Sequence, residues 1–232
     1  MESFDLQAVV LALPILLLSL TAHEFGHAWV ALKQGDDTAY MLGRVTMNPA
    51  AHVDWIGTIL FPAIAIGSGM PLLGWAKPVP TNPRKFRDYR RGDILVSLAG
   101  VAANAVLAIV FALALWILSA ATRSSGAAVP DMAVTAGRMF FYGIFANVGL
   151  IIFNLLPIPP LDGSRVLYHY LPARAAAEYR KLYQYGFIIL WILVLTRALR
   201  FMGPVIWEPT RLLLLPAAGA NIGLIQSVLQ SL

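Results

Sequence analysis

His23-Glu24-Phe25-Gly26-His27 closes an apolar run that begins near Leu6. Positions four apart on a helix share a face, so both imidazoles can bind one metal ion while Glu24, beside the first, reaches a water on that ion. With four His and four Glu in 232 residues, H-E-x-x-H arises by chance in about one such chain in a thousand. The competing reading is two polar residues near a helix end with no metal. Ionisable groups in membrane helices are costly and usually functional, which weighs against it.

The surrounding composition makes the membrane reading general. Mean hydropathy is +0.71, 59% of residues are hydrophobic and 12% are charged. These values describe a polytopic membrane protein in a lipid bilayer, not a soluble domain. The net charge of +5 could suggest nucleic acid. The basic residues, however, sit in loops between apolar runs, where they set membrane orientation, so no nucleic-acid partner is expected. The absence of cysteine excludes disulfides and leaves nitrogen and oxygen donors for any metal. Ser19-Leu20-Thr21-Ala22 could pass for a signal-peptide cleavage site. Residues 1–7 carry Glu2 and Asp5 but no Lys or Arg, so the first stretch reads as a retained helix.

Five apolar stretches stand out, at about 6–32, 55–73, 94–119, 138–156 and 182–196, followed by a proline-interrupted tail, 204–232, that spans or lies in the interface. Gly57, Pro62, Gly67, Gly69 and Pro71 suit the second to an irregular or re-entrant course. Met41-Leu42-Gly43-Arg44-Val45-Thr46-Met47 alternates well enough to predict a short strand. The expectation is an all-α polytopic membrane protein: a helical bundle with a short β-strand or hairpin element and a re-entrant segment. One membrane-embedded domain fills residues 1–232, with a catalytic core over about 6–170 and C-terminal helices over about 180–232.

A catalytic zinc site takes three protein ligands and leaves one position open. A further His shortly after His27, as metzincins have, is missing from Ala28-Trp29-Val30-Ala31-Leu32-Lys33. The downstream Glu of the thermolysin-like pattern could be only Glu178 or Glu208, and both read as solvated loop charges. Asp162 follows Asn154-Leu155-Leu156-Pro157-Ile158-Pro159-Pro160-Leu161 at the end of an apolar run, and Gly163 follows it. Prolines and glycine there can aim a carboxylate into the bundle, but an Asp-Gly turn at a helix end fits the spacing equally well.

The pairing of His23-Glu24-x-x-His27 with Asn154 and Leu161-Asp162-Gly163 far downstream resembles the site-2 protease family of intramembrane zinc metalloproteases. Gly43-Arg44-Val45-Thr46-Met47-Asn48-Pro49 and Gly74-Trp75-Ala76-Lys77-Pro78-Val79-Pro80 resemble a compact subgroup without PDZ or CBS domains, and the similarity covers about residues 15–170. The resemblance implies one Zn2+ held by His23, His27 and Asp162, Glu24 as general base, and Asn154 assisting substrate or oxyanion binding. The family often has Gly-Pro-x-x-Asn where this chain has Gly100-Val101-Ala102-Ala103-Asn104. That departure leaves the zinc ligands untouched and weakens the case for a substrate role in this helix. Asn104, His52 and Asp54 are candidates to orient the ligands or contact substrate, with loop capping an equal reading for His52 and Asp54.

His23 lies about 27 Å along its helix at 1.5 Å per residue. It can share an ion with Asp162 if 55–73 dips in and returns, bringing both ends to one face. Twelve of the 17 Lys and Arg then fall on that face, and the positive-inside rule places the zinc site near the cytoplasmic surface of a cell membrane, in all expectation a prokaryotic one. Arg197 and Arg200 run against it. The expected activity is hydrolysis of membrane-anchored protein substrates within or beside their spans, with the strand over Leu42–Met47 receiving an unwound peptide by edge addition. The alternative is a non-proteolytic membrane zinc-binding or transport protein. It predicts a polar relay through the bundle, whereas the second and third apolar runs lack carboxylates.

Overall fold

The computed structural model describes residues 5–68, 75–123 and 129–232. Helix α1 (Leu6–Gln34) is fixed at both ends by local sequence. The Asp5 side chain accepts from the Ala8 amide at its start. Gly35 closes it at φ 105°, donating to the Ala31 and Leu32 carbonyls, a left-handed cap that glycine adopts without strain.

The single turn α2 (Thr38–Met41) leads into a correction. Met41–Met47 forms no strand, and no strand occurs among the described residues. Gly43 takes φ 67°, and the Arg44 amide folds back on the Ala39 carbonyl at 2.8 Å. The side-chain alternation is present, but no neighbouring edge receives the backbone, so its hydrogen bonds close locally.

Helix α3 (Phe61–Ser68) continues a π-helical stretch, Trp55–Leu60, whose first amides are capped by Asp54. The Gly67 carbonyl accepts from the Asp5 amide at 2.7 Å, so α3 ends beside the start of α1. The Trp75 amide nevertheless donates to the Gly57 carbonyl at 2.9 Å. Residues 55 and 75 therefore lie at one level, with Gly67 at the opposite end of α1. Residues 69–73, the rest of the second apolar stretch, lie outside the described residues.

Helices α4 (Tyr89–Arg123) and α5 (Asp131–Asn154) run antiparallel to one another, and α4 runs antiparallel to α1. The short helices α6 (Asp162–Tyr168), α7 (Ala173–Lys181) and α8 (Gly186–Leu195) follow. The chain ends in α9 (Met202–Ala220) and α10 (Ile222–Gln230). Among the described residues, α1, α4 and α5 are long and apolar enough to cross a membrane; residues 173–195 and 198–220, bent by 72° at their junction, make a fourth candidate.

The tail does not lie apart from the bundle. Leu214, Ala217, Leu224, Ile225 and Val228 join Phe111, Leu115, Ile144 and Val148 in one buried core. Helix α4 shows why this is a membrane architecture: Asn104, Ala108, Phe111 and Leu115 are buried, while Val106, Ile109, Val110, Leu113 and Ile117 on the other face are exposed. An apolar outer face of this kind is what hydrocarbon tolerates.

Candidate metal centre

Helix α1 presents His23 and His27 to α4, one turn apart. His27 Nδ1 lies 2.7 Å from the Val96 carbonyl, which can only accept, so Nδ1 carries the hydrogen and Nε2 keeps its lone pair. His23 Nδ1 lies 2.7 Å from Asn104 Oδ1. The Asn104 amide is oriented by its nitrogen, which donates to Asn147 Oδ1 at 2.8 Å and to the Ser19 carbonyl at 3.1 Å. The oxygen therefore faces His23, whose Nε2 is also left with a lone pair. Both rings lie against the α4 backbone at Gly100: a Cβ there would stand 2.5 Å from His23 Cε1 and 2.6 Å from His27 Nε2.

Asp162, the first residue of α6, completes the cluster. Its Oδ2 is 3.3 Å from each Nε2, and the two Nε2 atoms are 3.0 Å apart. All three residues are buried, and Asp162 Oδ2 has no hydrogen-bond partner. Three lone-pair atoms at this spacing repel one another unless a metal cation or a proton sits among them. A metal with ligands at about 2.0–2.1 Å in a tetrahedron has ligand–ligand edges of about 3.3–3.4 Å. The donor set of two imidazoles and one carboxylate is one that zinc accepts. The residues present fit a metal ion.

Glu24 lies next to this cluster, and its Oε2 accepts from the Val79 amide at 2.8 Å. Val79 belongs to a strap, residues 75–82, that crosses the site without helix. The Lys77 amide holds it to the His52 carbonyl at 2.9 Å, and the Asn82 amide to buried Asp36 at 2.5 Å. Lys77, Val79 and Asn82 each precede a proline, which pushes their backbones away from helix. Where the strap ends, Lys85 pairs with Asp37; that hydrogen bond and charge lower the Asp37 pKa and raise that of Lys85.

The other sequence candidates make no hydrogen bond to the cluster among the described residues. His52 Nε2 donates to the Thr46 carbonyl at 3.0 Å, and Asp54 caps Ile56 and Gly57, so both hold loops. Asn154 ends α5, and its amide donates to the Leu150 carbonyl at 3.0 Å. Among the described residues, no hydrogen bond joins it to the cluster.

The model of peptidase family M50 matches residues 11–194. The chain belongs to peptidase family M50. This M50 chain is 39% identical over 181 residues to "Putative zinc metalloprotease YwhC" of Bacillus subtilis, covering 78% of each chain. It is 35% identical to "Putative zinc metalloprotease Rip2" of Mycolicibacterium smegmatis, covering 79% of this chain and 66% of that one. The Rip2 of Mycobacterium tuberculosis is 32% identical, over 82% of this chain and 70% of its own. No solved structure is a significant match. As an M50 chain with several apolar helices, it is an integral multi-pass membrane protein.

Around the M50 motifs, sequence reasoning missed the Val96 carbonyl, the Val79 amide and the close approach at Gly100. It also missed buried Asp93, which binds Arg165 at 2.7 Å and His169 at 2.8 Å and so ties α4 to the helix that starts at Asp162. Backbone groups leave no residue-type signal. Asp93 had one, a carboxylate immediately before an apolar run.

Proposed function

We propose that this M50 chain is an intramembrane zinc metalloprotease that hydrolyses peptide bonds of membrane-anchored proteins within or beside their spans. The observation that carries it is the convergence of His23 Nε2, His27 Nε2 and Asp162 Oδ2 next to a carboxylate, Glu24, that is none of the three. These three residues would hold one Zn2+. When bound, zinc supplies Lewis acidity, polarising a carbonyl and bringing the pKa of water to about 7.

Glu24 takes a proton from the water that attacks the peptide carbonyl and returns it to the amine as the C–N bond breaks. The Val79 amide aims its carboxylate, and the strap keeps bulk water off one side. Asn154 gives one of its two amide hydrogens to the Leu150 carbonyl, and the second can serve the oxyanion. Leu42–Met47 forms no strand here, so edge addition there is not part of this reading.

In this reading the stretch expected over 55–73 is re-entrant, which is supported by the Trp75 amide meeting the Gly57 carbonyl while the Gly67 carbonyl meets Asp5. The segments 33–44, 77–91 and 165–181 carry most of the Lys and Arg. They share a face through the bonds from Asp36 to Asn82 and from Asp93 to Arg165, which supports a cytoplasmic-side site. The chain acts as one membrane-embedded domain.

Glu24→Gln tests the reading. Zinc content should stay near one per chain while cleavage of a model transmembrane substrate falls at least about 100-fold. Unchanged cleavage would remove Glu24 as the base, and absent zinc in the wild type would remove the metal.

A further inference from the structure

Two polar residues inside the bundle, Ser19 and Asn147, have no part in the chemistry above, yet each is 0% exposed. Their hydrogen bonds have one possible direction. Ser19 Oγ donates to the Ile15 carbonyl at 2.8 Å, so towards Asn147 it can only accept. Asn147 Nδ2 donates to Ser19 Oγ at 2.8 Å and to the Gly143 carbonyl at 2.8 Å. This leaves Asn147 Oδ1 facing Asn104, whose Nδ2 donates to it at 2.8 Å and to the Ser19 carbonyl at 3.1 Å. Asn104, also 0% exposed, then has only Oδ1 to offer His23 Nδ1 at 2.7 Å. Every step ends on a backbone carbonyl, which cannot reverse its role.

We propose that Asn147, with Ser19, is a positioning residue that locks the His23 tautomer through Asn104. A turned Asn104 amide would place a donor against His23 Nδ1. That nitrogen would have to accept, the hydrogen would move to Nε2, and the lone pair aimed at Asp162 and His27 would be lost. His27 needs no such relay, because a main-chain carbonyl sets its tautomer. The network joins α1, α4 and α5 at the depth of the site.

The inference rests on the zinc reading for its purpose but not for its test, since the tautomer can be read without metal. With four His in the chain, 15N-histidine labelling resolves each ring. In metal-free protein at mildly alkaline pH, the wild-type His23 ring should carry its hydrogen on Nδ1. Asn147→Leu should turn it into a mixture of tautomers while His27 keeps Nδ1–H, and zinc affinity by chelator competition should fall on the order of 10-fold. Ser19→Ala is the second variant, with the same tautomer change in smaller proportion, and it serves if Asn147→Leu does not fold. A single Nδ1–H tautomer in the folded variant with unchanged zinc affinity overturns the proposal. A tautomer change in a wild type that binds no zinc would keep the relay and sink the zinc reading instead.

Discussion

The Val79 amide donates to Glu24 Oε2 at 2.8 Å across 55 residues of sequence. A main-chain donor thus holds the carboxylate that neighbours His23 in sequence, and a loop rather than a helix supplies it. A hydrogen bond to a charged group contributes about 1.5–3 kcal/mol. Val79→Pro removes this one donor from a segment that Pro78 and Pro80 already keep out of helix. Cleavage should fall about 10-fold or more, as that energy implies, while metal content by elemental analysis stays at the wild-type value. Full activity would separate the strap from the chemistry.

Gly100 should tolerate no side chain. A methyl group there would meet the His23 and His27 rings at 2.5–2.7 Å, and the rings can move only by leaving their Nδ1 partners. Gly100→Ala should weaken zinc on the order of 10-fold or more, measured by chelator competition, with the folded helical content retained. Wild-type affinity would mean that the rings have slack the geometry does not show.

Two buried aspartates of this end of the bundle, Asp162 and Asp93, should fail in different ways. Asp162→Asn should lose zinc and cleavage together, because the neutral amide replaces the anionic donor. Asp93→Asn removes the charge facing Arg165 and His169, and breaking a buried pair of this kind costs about 3–5 kcal/mol. Its melting temperature in detergent should drop, yet folded protein should bind zinc as before. Zinc loss in both would place Asp93 in the metal site.

The Lys85–Asp37 pair tests the strap's outer anchor by pH. Asp37 has its pKa lowered, so its contribution is present above the unfolded carboxylate value and is lost as pH falls through the folded value. Lys85 has its pKa raised, so its contribution is present below the unfolded amine value and is lost as pH rises through the folded one. At neutral pH the pair is therefore intact. Both side chains are about half exposed, and such pairs contribute little. Lys85→Met should shift the neutral-pH melting temperature far less than Asp93→Asn does, and the difference from wild type should vanish in acid, below the folded Asp37 value. A large neutral shift would mark the strap as a stability element.

Much of the centre was legible because its chemistry is carried by rare residue types. His23, Glu24 and His27 stand at helical spacing, and the resemblance carried the sequence to Asp162, which the fold brings within 3.3 Å of both imidazoles. The long helices α1, α4 and α5 were legible from hydropathy, although α4 and α5 begin five and seven residues before the stretches expected at 94–119 and 138–156. The strand at Met41–Met47 was not, because alternation records which faces differ but not whether a partner edge exists. Asn154 was placed with the site by motif, and in the structure its amide is engaged by its own helix. Val96, Val79 and Gly100 act through main chain or through the absence of a side chain, and a single sequence gives no sign of either.

The packing of two imidazoles directly on the backbone of α4 at Gly100 has a mechanical consequence. Helices α1 and α4 are geared to each other through the ligands themselves, so sliding or parting them by even a fraction of an ångström misplaces both rings. An opening for a substrate helix cannot run along that seam. It has to be made where the cluster touches its surroundings through movable parts, at the strap over Glu24 or on the side of α5 and α6. One half of the bundle is the chassis, and any door must be hung on the other.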